Sequence, residues 1–516
     1  MLTDASQNFP RAASLLVSQD KDQQRTWFVL VLPALMAFLL ALVPLLGSMA
    51  AGPMLLVLVP LVLWTAFRDT ERAVYVYIAW CWIDGTLRGL LNSDPVSIVA
   101  RDIVLGIIVV GWGCQRLQSR AQDPILYPPG SLLIALFVIN CLLQVANPYS
   151  LGLIQSIGGL KMHLSAIPLL FVAYDVFRRR SQVRALFLFL TLATLVIGIL
   201  SFVQYVEGQA WTWAHFPGTK QVISQQMNAQ HAGVKIGELA TFKPPGTTGF
   251  GGGTATFVGL IFPLTFALAM LSEKNGFSQR SKSVFLGILM AFVVIILINS
   301  IRSALVMAVT GVIFLGVVVG GRLRARVLVG MLVCLVLGMI ALTYSANLSG
   351  GGVTDRFSST FADPVDALHQ DRRTFFDDAV FIAVHSPMGV GLGRIGAAAG
   401  RLGSGKSNLD FAVFSEAYLG DMMFETGIIG GVLITAIALM LILRGYHSMV
   451  RLQQPDDRFL AAGILAVLFV VFANFFVAPI LLGPPGSVLF WLLGGVLLRV
   501  FAPSNRVLLQ VKVEPI

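Results

Sequence analysis

The chain has 516 residues, 56% of them hydrophobic and only 12% charged, with a mean hydropathy of +0.81. A soluble domain is closer to a quarter charged, so too little polar surface remains to coat a soluble globule of this size. The composition excludes a soluble enzyme, a disordered chain and a nucleic-acid-binding domain, and it calls for an all-α, polytopic integral membrane protein.

Residues 1–26 are polar and mixed in charge, lack a signal-peptide cleavage pattern, and read as a cytoplasmic tail. Residues 27–206 hold the first seven apolar runs of spanning length, at 27–47, 50–67, 72–92, 96–114, 130–147, 152–176 and 184–206. A first long loop covers 207–250. Four core spans follow within 250–345, at 250–271, 284–300, 303–320 and 326–345. A second, larger loop covers 346–426. Spans 12–14 occupy 427–502, at 427–443, 459–478 and 484–502, and 503–516 form a second cytoplasmic tail. The total is about 14 transmembrane helices.

The charges set the orientation. With both ends inside, the even-numbered gaps are cytoplasmic, and they carry Arg68 and Arg72, Arg116 and Arg120, Arg178–Arg180, Lys274 to Lys282, Arg322 to Arg326, and Arg444 to Arg458. The short odd-numbered gaps are almost free of basic residues, the pattern expected of an N-in, C-in protein. The net charge of +10 is therefore a topology signal rather than a nucleic-acid surface. Both long loops fall outside the cytoplasm. Their aromatic residues, Trp211, Trp213, Phe216, Phe357, Phe361, Phe375 and Phe376, are too apolar for plain linkers. The stretch 371–385 has apolar residues at helical spacing beside charged ones, as in a helix lying on a membrane surface or packed within the loop.

The four cysteines, Cys81, Cys114, Cys141 and Cys334, lie far apart, and the six histidines show no zinc-binding spacing. No phosphate-binding glycine loop of the Walker type is present. Neither metal nor nucleotide cofactor is expected.

Ionisable groups inside spanning helices are costly and so are candidates for function. Asp84 and Arg88, four residues apart, share a helix face and can neutralise each other. Arg101 and Asp102 open a run, and Lys161 and His163 lie within the sixth. Each reads equally as a structural pair or a snorkelling end; Lys161, with no acid nearby in sequence, is the strongest functional candidate of the group. A second set, Lys243, Arg302, Arg356, Arg372, Arg373, Arg394, Arg401 and Lys406, falls on the outer side, which short loops normally keep free of basic residues. Arg302 sits in the tight turn Asn299-Ser300-Ile301-Arg302-Ser303, next to a helix N-terminus. A cation there gains nothing from the helix dipole, but it is well placed if an anion binds to the guanidinium and the free backbone N–H groups together. A headgroup anchor is the alternative.

Glycine-rich segments flank these cations. Lys243-Pro244-Pro245-Gly246-Thr247-Thr248-Gly249-Phe250-Gly251-Gly252-Gly253 leads into the eighth run, where its glycines allow close backbone approach to a ligand. Pro387-Met388-Gly389-Val390-Gly391-Leu392-Gly393 superficially matches a dinucleotide fingerprint, but no strand–helix context surrounds it.

Three segments together resemble the O-antigen ligase and O-antigen polymerase family of polytopic membrane glycosyltransferases. Lys243–Thr248 is similar to the family's basic-Pro-x-Gly-Thr-Phe element before a helix. Asn299–Ala304 is similar to its Ser-Arg-Ser/Gly element. The third is Arg372 with Phe376, then His385-Ser386-Pro387 through Gly393, then Ser415-Glu416-Ala417-Tyr418-Leu419, then Glu425-Thr426-Gly427-Ile428-Ile429-Gly430. The resemblance covers residues 240–445.

It implies transfer of glycans from undecaprenyl-diphosphate-linked donors to acceptors on the outer leaflet of the plasma (inner) membrane, without metal or nucleotide, with the active site facing the periplasm or exterior. It implies Arg302 and Arg372 as the groups that stabilise the departing diphosphate, with Lys243 and Arg373 as further diphosphate ligands; Lys161, outside the resemblance, is a further candidate ligand by its place in the sixth run. Ligases of the family carry a histidine, often His-Asn, where this chain has Ser415-Glu416, whereas many polymerases carry a glutamate there. The resemblance therefore favours a polysaccharide polymerase with Glu416 as general base and His385 as the alternative base. A ligase is the runner-up and a transporter or flippase the third reading. The implied partners are membrane lipid, a chain-length regulator and a flippase, with no nucleic acid. Glu425 reads most simply as a carboxylate at a helix N-terminus.

Overall fold

The computed structural model describes residues 24–91, 95–118, 127–217, 243–248, 253–272, 279–299, 301–321, 323–325, 327–332, 381, 384–394 and 417–502. Among these residues the chain is all-helical, with no strand. Seven helical stretches are long and apolar enough to cross a membrane by length and composition: Gln24–Arg68, Leu153–Val176, Arg180–His215, Gln279–Ile298, Arg302–Val319, Tyr418–Val450 and Pro455–Phe476. The outward faces are apolar: Leu45, Leu56 and Met49 stand about three-quarters exposed, the residue types that hydrocarbon accepts and water does not.

The sequence counts more spans than seven. The runs at 27–47 and 50–67 belong to one helical stretch, interrupted where Gly47, at φ 56°, opens a 3-10 turn over Gly47–Ala50. The three helices Ser131–Val145, Gly253–Ala269 and Gly486–Val500 are apolar but shorter. The run at 326–345 lies largely outside the described residues. The third and fourth runs are helical but carry Asp84, Arg88, Arg101 and Asp102.

The chain folds as two compact units, one of Met1–Ala121 with Arg179–Val258, the other of Gln122–Arg178 with Gly259–Ile516. The first unit holds α1 (24–41), α2 (Val43–Leu46), α3 (Ala51–Arg68), α4 (Thr70–Leu90), α5 (Pro95–Gln118) and α9 (Arg180–His215). Its core is α4, buried on almost every side. Asp69 caps its N-terminus by accepting from the Arg72 N–H at 3.3 Å. Further along, the Trp82 indole donates to the Thr194 hydroxyl at 3.0 Å, and Tyr75 meets Phe189 edge-on, so α4 is fastened to α9 by large aromatic surfaces.

The second unit holds α6 (Ser131–Val145), α7 (Leu153–Leu164), α8 (Pro168–Val176), α11 (Gln279–Ile298), α12 (Arg302–Val319), α13 (Tyr418–Val450), α14 (Pro455–Ala473) and α15 (Gly486–Val500); α10 (Gly253–Ala269) spans the boundary between the units. Pro168 cannot continue the ladder of α7, so the sixth apolar run is two helices joined at Ser165–Ile167. Helix α15 packs on α8 at Gly495, where a Cβ would collide with the Leu170 carbonyl. Helices α12 and α14 meet through Phe314, stacked on Phe469 at 4.1 Å.

Helix α13 begins at Tyr418, inside the stretch 346–426 that the sequence assigns to the outer loop. The reason is a break rather than a start: Gly427 holds φ 73° and ψ −179°, so two helical legs meet there, and the apolar run visible in sequence is the second leg alone.

Candidate functional site

The break in α13 organises one end of the second unit. In an unbroken helix the Phe424 carbonyl would accept from the Ile428 N–H. Here the non-helical, turn-containing segment 386–393 supplies the missing partners. The Val390 N–H donates to the Phe424 carbonyl at 2.9 Å, the Gly391 N–H to the Glu425 carbonyl at 3.2 Å, and the Ile428 N–H donates to the Pro387 carbonyl at 3.0 Å. Buried backbone groups need partners, and this exchange provides them without a sheet. Such close approach requires glycine. Gly389 is at φ 80°, and a Cβ on it would lie 2.5 Å from the Gly427 nitrogen.

Helix α6 and the turn that follows it complete the bracket with amide side chains. Gln144 Nε2 donates to the Met388 carbonyl at 2.8 Å, Asn147 Nδ2 to the Gly389 carbonyl at 3.1 Å, and Asn140 Nδ2 to the Thr426 carbonyl at 3.2 Å. Helix α7 packs on the far end of the segment, Gly159 against Gly393. The Arg394 guanidinium donates to the Tyr149 carbonyl, and partial desolvation lowers its pKa from the ordinary value.

Beneath this bracket lies a buried ionisable pair. His163 Nε2 and Glu425 Oε2 are 2.8 Å apart, with side chains only 2% and 3% exposed. Either the imidazole N–H donates to the carboxylate or a protonated Glu425 donates to the ring; one proton joins them in both cases. Tyr418 stands 6.1 Å from the His163 ring, centroid to centroid, and Asp421, also buried, precedes Glu425 by one helical turn.

The residues named from sequence are distributed as follows. Arg302 is the first residue of α12, with Ile301 as its cap. Lys161 lies on α7, two residues before His163 and half-buried. His385 is exposed; its Nδ1 lies 2.9 Å from the Phe381 carbonyl, and its ring stacks on Phe381 at 3.9 Å. Lys243 belongs to the first unit, Arg302 and Lys161 to the second. Arg372, Arg373 and Glu416 lie outside the described residues, as does most of the stretch 371–385.

Two readings are corrected by their surroundings. The approach permitted by Gly246 is taken up by the protein itself: its N–H donates to Gln204 Oε1 at 2.7 Å, and a Cβ would collide with the Thr254 hydroxyl. Thr247 donates to the Trp82 carbonyl, so this turn is tied into its own unit. Glu425 is no simple carboxylate at a helix N-terminus; it sits two residues before the break and is paired across the unit with His163.

In the first unit the expected Asp84–Arg88 pair forms and is extended by α5, with Arg101 3.9 Å from Asp84 and 3.6 Å from Asp102. Two acids and two guanidiniums form one electrically balanced cluster, which lowers the cost of holding charge inside an apolar environment. Sequence reasoning flagged His163 and Glu425 singly but missed their pairing. The one signal was that each is ionisable within an apolar helix.

No protein-family model and no curated protein matches this sequence.

Proposed function

We propose that this chain is a plasma-membrane glycosyltransferase that polymerises undecaprenyl-diphosphate-linked oligosaccharide repeat units on the outer face of the membrane. The observation that carries the reading is the bracket. Two parts of the third segment that resembles the O-antigen ligase and polymerase family, Pro387–Gly393 and Glu425–Gly430, are hydrogen-bonded to each other within the second unit. Residues far apart in the chain thus form one construction, as elements of a common site would. The reading includes about 14 spans with both termini inside.

The chemistry follows from a lipid diphosphate as leaving group. The acceptor hydroxyl oxygen bonds to the anomeric carbon of the donor sugar, and the bond from that carbon to the diphosphate oxygen breaks. The electron pair goes to the diphosphate, and the acceptor proton goes to Glu416. Arg302 and Arg372 stabilise the developing negative charge, with Lys243, Arg373 and Lys161 as further ligands. His385 is the alternative base.

A second reading, transport of the lipid-linked glycan, draws on the buried charges of α4, α5, α7 and α13. Those of α4 and α5 form a balanced cluster, and His163 faces Glu425, which suits structure as well as transport.

The glycan profile of a deletion strain tests these readings. Single repeat units on the acceptor indicate a lost polymerase, complete chains held on the carrier a lost ligase, and carrier-linked units confined to the inner leaflet a lost flippase. Within the polymerase reading, Glu416→Gln is expected to lose most turnover while still binding the lipid-linked donor. Full turnover in that variant moves the base to His385.

A further inference from the structure

Phe381, Val384 and His385 are helical residues at positions i, i+3 and i+4, so they share one face. That face is apolar and uncovered: Phe381 shows half its surface, Val384 is 70% exposed, and Met388, in the turn that follows, is exposed to the same degree. The His385 ring stacks on Phe381 and adds an aromatic body with a polar edge, a combination suited to a boundary between oil and water. We infer that this outward edge of the bracket is a membrane-inserting surface. Phe381, Val384 and Met388, with Tyr149, Leu153 and Ile154, enter the headgroup–acyl boundary of the lipid leaflet that meets the turn between α6 and α7. The inference stands independently of the glycosyltransferase reading.

Lipid is the occupant by place and by continuity. The bracket's own bonds tie the segment to the end of α6 and the start of α7. Gln144 Nε2 donates to the Met388 carbonyl at 2.8 Å and Asn147 Nδ2 to the Gly389 carbonyl at 3.1 Å, while a Cβ on Gly391 would stand 3.0 Å from Ser150. Leu153 opens the helical stretch Leu153–Val176, which is long and apolar enough to cross a membrane, and the first turn of a spanning helix lies at the membrane boundary. The exposed apolar surface also continues past the bracket. Leu143 in the last turn of α6, Tyr149 in the connecting turn, and Leu153 and Ile154 at the start of α7 are each about two-thirds exposed or more. Tyrosine at the end of a span is the residue type that membrane interfaces favour. The Arg394 guanidinium, bound to the Tyr149 carbonyl, adds a cation at the same level. A surface facing water rarely leaves so many apolar side chains uncovered. So placed, the bracket is within reach of molecules that diffuse in the leaflet rather than in water.

The test puts a nitroxide label on Val384→Cys and, separately, on Met388→Cys in the full-length protein carrying Cys114→Ser and Cys334→Ser; Cys81 and Cys141 are buried and are kept. Electron paramagnetic resonance in phosphatidylcholine nanodiscs compares collisions with molecular oxygen, which concentrates in hydrocarbon, and with a water-soluble nickel chelate. Leu45→Cys, on an outward apolar face, is the lipid reference, and Gln453→Cys, in the exposed turn between α13 and α14, is the water reference. Both test labels are expected to favour oxygen and to report a depth of about 5–10 Å below the lipid phosphates.

Nickel collisions at the level of the Gln453 label show a surface in water and overturn the inference. Few collisions with either reagent show a surface covered by protein, from this chain or a second copy, and overturn it equally. Should the labelled variants fail to fold, a phospholipid bearing a photoactivatable diazirine in its acyl chain is applied to the unaltered protein. Crosslinks on the peptide that contains Val384 and Met388 are expected, and their absence while the peptide containing Leu45 is labelled overturns the inference.

Discussion

Arg302 opens α12 at the end of the helix where the backbone dipole is positive. A guanidinium there is opposed by the dipole, and an anion bound between them would turn that opposition into joint attraction. If Arg302 stabilises a departing diphosphate, Arg302→Ala is expected to lower turnover a hundredfold or more, because loss of one donor to a developing oxyanion costs about 3–4 kcal/mol. Lysine should rescue poorly, since a point charge cannot reproduce the planar fork. The measurement is polymer formed per unit of inserted protein. Wild-type polymer from Arg302→Ala would reduce the residue to a headgroup anchor. At this scale the sequence was informative where neighbours are local. The i, i+4 spacing of Asp84 and Arg88 led directly to their ion pair, whereas Arg101 joins it from another helix, which no local spacing displays.

At the scale of elements, the break at Gly427 does more than bend α13. It releases backbone groups that the segment 386–393 then occupies. Gly427→Ala meets two penalties: a backbone conformation that L-residues rarely adopt, and a Cβ placed 2.5 Å from the Pro387 carbonyl. A destabilisation of about 1–3 kcal/mol is expected, seen as a lower unfolding temperature in detergent. Gly287 offers the contrast. It lies within α11 with nothing within 4 Å of where a Cβ would stand, so Gly287→Ala should be neutral or stabilise by up to about 1 kcal/mol. Equal melting temperatures for the two variants would refute this account of the bracket. Hydropathy locates apolar stretches but carries no mark for such breaks. Those at Gly208 and Gly427 depend on single glycines at positive φ, and at Gly427 the segment 386–393 packs directly against the break.

For the whole molecule, composition alone was enough to indicate a helical membrane protein, because apolar residues in this proportion have nowhere else to go. Orientation rests on the basic residues. Reporter fusions after Gln230 and Lys406 should score extracytoplasmic, and one after Arg324 cytoplasmic; a cytoplasmic signal from either long loop would remove the outward-facing site. The candidate site was legible only as scattered motifs. Its central contact, His163 with Glu425, joins residues 262 apart in the chain, and a pairing of that range leaves no periodicity to read in one sequence.

The amide side chains of α6 and the turn after it raise a question of timing during synthesis. Asn140, Gln144 and Asn147 find their backbone acceptors 286, 244 and 242 residues later in the chain. At about 5–20 residues per second, a ribosome takes on the order of ten seconds to a minute to deliver them. Until then this apolar segment, in which Asn147 and Gln144 can bond only to each other and to nearby backbone, waits beside the translocation machinery without its final acceptors, the kind of intermediate that membrane chaperones and proteases survey. Chains truncated before residue 384 would keep that signature permanently, so cells should clear them faster than chains ending after residue 450.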